Sequence, residues 1–70
     1  MSDNVYAISE IAGSSSKGIE DAIENALTRA RQTLRNLDWF ETTEIRGHLA
    51  DDGSVKHYQV SLKLGFRMEE

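Results

Sequence analysis

Ile19, Ala22, Ile23, Ala26, Ala30, Thr33, Leu34 and Leu37 recur at spacings of three and four, and from Tyr58 to Phe66 the apolar spacing drops to two. The first spacing lines one stripe of an α-helix, and the second lines one face of a strand. The change of period predicts an amphipathic helix over about residues 16 to 37, roughly 33 Å long at 1.5 Å per residue, with strands after it. Ser16 stands where an N-cap belongs. Glu20, Asp21 and Glu24 fall toward the positive end of the helix dipole, and Arg29, Arg31 and Arg35 toward the negative end.

Before the helix, Val5 to Ala12 is a β-leaning run containing Val5, Tyr6, Ile8 and Ile11, and the Gly13-Ser14-Ser15-Ser16-Lys17-Gly18 stretch reads as a loop. After it come strands over Trp39 to Leu49 and Ser54 to Met68, joined by a hairpin turn at Asp51-Asp52-Gly53, where glycine accepts a positive φ. In the last strand Tyr58, Val60, Leu62, Leu64 and Phe66 alternate with His57, Gln59, Ser61, Lys63 and Arg67. The expected fold is α+β: a single βαββ domain over residues 1–70, with a three-stranded antiparallel sheet partly wrapped around one long helix. The helix returns the chain so that the first two strands run parallel. Placing the last strand between them makes every pair antiparallel. One helix cannot cover both faces of such a sheet, and both faces carry apolar or aromatic residues.

The turn sets which residues share a face, because a slip of one residue exchanges the faces. A two-residue loop opposes Ile45 to Val60 and Arg46 to Gln59. A three-residue loop, with Gly53 as a left-handed bulge, opposes Trp39 to Gly65, Glu41 to Lys63 and Ile45 to Gln59. The second is favoured, since it pairs opposite charges and lays an indole over a glycine that has no side chain to obstruct it. A further bulge at Gly47 would reconcile the two. In the favoured register Trp39 and Gln59 share the face away from the helix, while His48 and His57 face oppositely.

Composition then narrows the function classes. Ordering 70 residues costs on the order of 100 kcal/mol, which one small core barely offsets, so such scaffolds need disulfides, a metal or partner subunits. The chain has no cysteine, which removes disulfides, thiolate sites and a cysteine nucleophile, and its two histidines are too few for a metal site. Oligomerisation is the support that remains. Twelve acidic against eight basic residues, a net charge of −4, argue against nucleic acid. No apolar run approaches a membrane span of about 20 residues, and the N-terminus lacks a basic start with an apolar middle. The cytoplasm is therefore the expected location.

Few residues carry candidate chemistry. The single tryptophan, Trp39, is either a plug at the helix–strand junction or a stacking platform for a planar ligand. Gln59 offers a donor and an acceptor to the edge of a heteroaromatic ring. The glycine- and serine-rich loop lacks the spacing of a phosphate-binding loop and reads as an ordinary connection. No nucleophile–histidine–carboxylate array and no marked carboxylate pair is present, and no metal is expected.

The segments VYAISEIAGSSSKGIEDAIENAL, LRNLDWFETTEIRGHL and HYQVSLKLGFRMEE, and the succession WFE, RG, YQV and GFR within them, resemble the bacterial dodecins over nearly the whole chain. The hairpin turn, here ADDGS, departs from relatives in length and touches no ligand position. The resemblance implies a cytoplasmic flavoprotein that assembles as a dodecameric hollow shell. Such proteins store or buffer flavin rather than catalyse a reaction, holding it in stacked pairs between symmetry-related tryptophans at subunit interfaces. Bacterial members favour FMN, with riboflavin or FAD as other flavins, and some also bind coenzyme A. By motif the stacking residue is Trp39 in LDWFE, and the glutamine at the isoalloxazine edge is Gln59 in YQV. Arg46 in IRG lies near the phosphate-bearing side, and Arg67 in GFR is structural or linked to coenzyme A. An indole against a flavin is also expected to drain its excited state. Two rival functions remain, a coenzyme A-binding oligomeric scaffold and a small flavin-dependent reductase.

Overall fold

The computed structural model describes residues 3–69. Its elements are β1 (Tyr6–Ser15), α1 (Ile19–Thr33), β2 (Leu37–Leu49) and β3 (Val55–Arg67). The sheet order is β1-β3-β2, and both pairings are antiparallel. The βαββ topology expected from the sequence is the one observed.

The helix is shorter than its apolar spacing indicates. It ends at Thr33, because Leu34 turns to an extended conformation (φ −104°, ψ 139°) while its N–H still closes the last turn on the Ala30 carbonyl. Asn36 then takes a left-handed φ of 62°, which asparagine tolerates better than most residues, and Leu37 already begins β2. Arg35 therefore lies past the helix, and Arg31 alone is the basic residue of its last turn. The start differs too. Gly13, Ser14 and Ser15 extend β1, so the connection shrinks to residues 16–18. Gly18 occupies the N-cap position with no side-chain cap, and Ser16 does not fill that role. The buried Ser15 hydroxyl ties the entrance instead: it accepts from Lys17 N–H (2.9 Å) and donates to Asp21 Oδ2 (2.7 Å) in the first helical turn.

The core is small. Ala22, Ala26 and Ala30, one turn apart on α1, lie against Val60, Leu62 and Leu64 of β3, with Ile11, Ile23, Leu27, Leu34 and Leu37 packed at its margin. An alanine stripe lets the helix backbone approach the sheet, and Gly13 makes that approach feasible. A Cβ built at Gly13 would overlap the Ala22 carbonyl oxygen and come within 2.7 Å of Ala26 Cβ. Because one obstacle is backbone, no rotamer change relieves the clash. Gly13→Ala is therefore expected to cost about 3 kcal/mol, the upper part of the range for overpacking, read as a lower urea midpoint at fixed protein concentration. An unchanged midpoint would mean that the helix seat is soft.

The helix packs on β1 and β3 and leaves β2 uncovered past Leu37. The hairpin turn is the three-residue form, with Gly53 left-handed (φ 88°) and Gly53 N–H donating to the Ala50 carbonyl at 2.9 Å. Asp52 accepts from the Ser54 hydroxyl (2.6 Å) and N–H (3.0 Å), which holds its carboxyl below the ordinary value. That contribution to the turn is complete above the ordinary carboxylate range and is lost only as the pH falls through the lowered value.

Candidate ligand-binding face

The sheet has one face against the helix and one free of it, and the β2–β3 register assigns residues to each. From Trp39 to Thr42 the pairing follows the three-residue turn, with Trp39 opposite Gly65 and Glu41 opposite Lys63. From Glu44 to His48 it is shifted by one, so that Ile45 opposes Val60, Arg46 opposes Gln59 and His48 opposes His57. Both sequence registers are therefore realised, each over part of the hairpin. The reconciling bulge is at Thr43, not Gly47, and a second irregularity beside the turn passes over Lys56. The Thr43 hydroxyl donates to the Ser61 carbonyl (3.2 Å), giving the bulge its own partner. The expected Ile45–Gln59 pair is corrected by this shift.

Trp39, Arg46, Gln59 and Arg67 all belong to the face away from the helix, as their partners on β3 require. The indole is no plug in the helix core. It lies over Gly65, where an added Cβ would overlap Cε2 and Cζ2, and it remains 36% exposed. Tyr6 stands beside it, with ring centroids 6.2 Å apart and planes tilted by 54°, and the Tyr6 hydroxyl donates to Asp38 Oδ2 at 3.0 Å. Arg67 lies at this end, opposite Tyr6, and its N–H donates to the Asn36 carbonyl at 3.1 Å.

The other end of the face holds Gln59 and Arg46. Gln59 Oε1 lies 2.9 Å from His48 Nε2, and the His48 and His57 rings stack at 4.5 Å with planes 24° apart. The expectation that these histidines face oppositely is corrected: the shift at Thr43 and Lys56 puts them side by side. The Arg46 guanidinium pairs with Glu44 at 2.6 Å in full view of solvent, where such a pair adds little stability. Among the described residues no group of three or more His, Asp or Glu could hold a metal ion, and no helix is long and apolar enough to cross a membrane.

The structure thus puts indole and amide on one face but does not bring them together. Gln59 is six residues along β3 from Gly65, about 20 Å at 3.4 Å per residue, too far for one planar ligand to touch both within a chain. Tyr6, Asp38 and His48 were not singled out as neighbours of the site. The first two approach only when β1 and β2 flank the same stretch of β3, and the third depends on two bulges that alternation does not reveal.

Comparison with known proteins agrees with this geometry. The family model described as Dodecin matches residues 5–69. The dodecin of Thermus thermophilus is 58% identical over 66 residues, covering 94% of each chain. The dodecin structure from Streptomyces coelicolor superposes with a TM-score of 0.91 at 56% identity, covering all of this chain and 99% of the other. That from Streptomyces davaonensis gives 0.91 at 49% identity, covering 99% of this chain and all of the other. A family model matching nearly the whole chain, and relatives more than half identical along it, make this chain a member of the dodecin family.

Proposed function

We propose that this protein is a cytoplasmic flavin reserve. It binds FMN, or another flavin such as riboflavin, in pairs between subunits of a closed homododecamer. One observation carries the reading: a partly exposed indole occupies the space over a glycine on the sheet face away from the helix. An indole so placed offers its exposed surface to a planar heteroaromatic ring. Gln59 shares that face but stands about 20 Å away along the strand, so an amide from a second copy is what completes the ring's polar edge. The ligand site is thereby an interface. Arg46 beside Gln59 and Arg67 beside Trp39 supply positive charge for a phosphorylated side chain, which favours FMN over riboflavin.

The same arrangement argues for storage without catalysis. A ring covered by indole on one side and by a second ring on the other leaves no room for a substrate, and the Tyr6 phenol and Asp38 carboxylate beside the indole are engaged with each other. Purified protein should be yellow, with an isoalloxazine spectrum, and should release FMN on denaturation. A colourless protein that releases coenzyme A would support the scaffold function instead.

Gln59 sets selectivity in this scheme. Its Oε1 is already engaged by His48, so the amide is oriented before the ligand arrives. Gln59→Ala removes about one hydrogen bond's worth of free energy, so FMN affinity should fall about tenfold, while fluorescence of the bound flavin stays quenched. Titration calorimetry and fluorescence on the same samples check both parts. Unchanged affinity would remove Gln59 from the site.

A further inference from the structure

We propose that Tyr6 is a second electron donor, placed to restore Trp39 whenever the indole has lost an electron, with Asp38 receiving the phenolic proton. The rings of Tyr6 and Trp39 are 6.2 Å apart between centroids, a distance over which electron exchange between aromatic side chains is fast. The phenol is also not free. Its Oη donates to Asp38 Oδ2 at 3.0 Å, and Asp38 immediately precedes Trp39 in the chain.

Chemistry links the two contacts. A phenol that loses an electron becomes strongly acidic, so its oxidation is favourable only when a base takes the proton in the same event. An ionised carboxylate already in the hydrogen bond is such a base. An indole radical cation is the stronger oxidant of the two rings under that condition. One electron passes from Tyr6 to the Trp39 radical cation, and the O–H proton passes to Asp38 Oδ2. The products are intact Trp39, a neutral tyrosyl radical and a protonated Asp38. Return of the original electron to Tyr6, with the proton moving back from Asp38, resets all three residues with no net change.

The inference rests on the flavin reading only for the natural oxidant, which is light-excited isoalloxazine. It assigns Tyr6 and Asp38 to protection of the indole, a role that a tether between β1 and β2 would not need. A tether predicts equal loss of stability from Tyr6→Phe and Asp38→Asn and no effect on radical chemistry.

Pulse radiolysis of the ligand-free protein in azide solution tests the step without flavin, because the azidyl radical oxidises tryptophan. In wild type the indolyl absorption should decay as tyrosyl absorption grows, in a first-order process independent of protein concentration. Trp39 is the single tryptophan, and Tyr58 is the other tyrosine. Tyr6→Phe should abolish the tyrosyl growth, Tyr58→Phe should leave it intact, and Asp38→Asn should slow it several-fold. Growth that survives in Tyr6→Phe, or its absence in wild type, would overturn the proposal. With FMN loaded, illuminated Tyr6→Phe should accumulate oxidised Trp39 several-fold faster by mass spectrometry while fluorescence stays quenched. A protein that binds no flavin but shows the radiolysis transfer would refute the storage reading and leave this inference standing.

Discussion

Replacing Trp39 by alanine should weaken FMN binding by about 5- to 150-fold and leave whatever flavin still binds fluorescent. The first number follows from stacking, which contributes about 1–3 kcal/mol per ring on an aromatic face, with 1.4 kcal/mol per factor of ten. The second follows from chemistry. An indole in contact with an isoalloxazine is an electron-rich plane against an electron-poor one, so the excited state is emptied by electron transfer before it emits. Tyr6 serves the indole rather than the flavin in this scheme, since its ring stands beside Trp39, tilted by 54°, and not in the stack. Gly65 makes the complementary test: Gly65→Ala sets a Cβ into the indole's seat while leaving the ring present. It should lower affinity in the same direction, by displacement rather than deletion. Binding and quenching by Trp39→Ala equal to wild type would reduce the indole to a packing group. Steady nicotinamide turnover by loaded wild type, lost in Trp39→Ala, would make the protein a reductase instead.

Much of this was legible in the chain, and the parts that were not share a physical cause. Alternation in β3 put Tyr58, Val60, Leu62, Leu64 and Phe66 on one side, and the structure buries the middle three completely and the outer two in part. Trp39 over Gly65 followed from the turn alone, because the turn type is encoded by one left-handed glycine. Helix ends were misread because Leu34 and Leu37 keep the helical spacing after the backbone has left the helix. They pack at the core margin from an extended segment, and spacing records burial rather than backbone conformation. The bulge at Thr43 left no trace in composition: threonine suits a strand and a bulge alike. Since the shift that passes over Lys56 and the bulge at Thr43 together bound the stretch in which Arg46 faces Gln59 and His48 meets His57, half of the candidate face was hidden.

The isolated chain should have no stable folded state, and its unfolding should be inseparable from dissociation. A compact domain of 70 residues has a radius of gyration of about 11 Å, whereas this one has 14.7 Å and extends 57 Å along its long axis. Its accessible surface is 5262 Å², against about 4,400 Å² for a compact monomer of its mass. The excess is apolar in character: Phe40 is 46%, Ile45 55% and Leu49 65% exposed on β2, and Ile8 is 59% exposed on the side of β1 away from the helix. Three alanines and three aliphatic residues are too little core to offset the ordering cost of the chain. Contacts between copies must supply the rest, and a species bound only in the folded state raises the midpoint by mass action. Wild type should therefore sediment as an oligomer, of about twelve 7.9 kDa chains if the proposed closed shell is right, with an unfolding midpoint that rises with protein concentration. Phe40→Asp with Ile45→Asp, two charges placed on the uncovered strand, should abolish the particle and the far-ultraviolet helix signal together. A variant that sediments as a monomer yet keeps that signal and unfolds cooperatively would show that the chain folds alone.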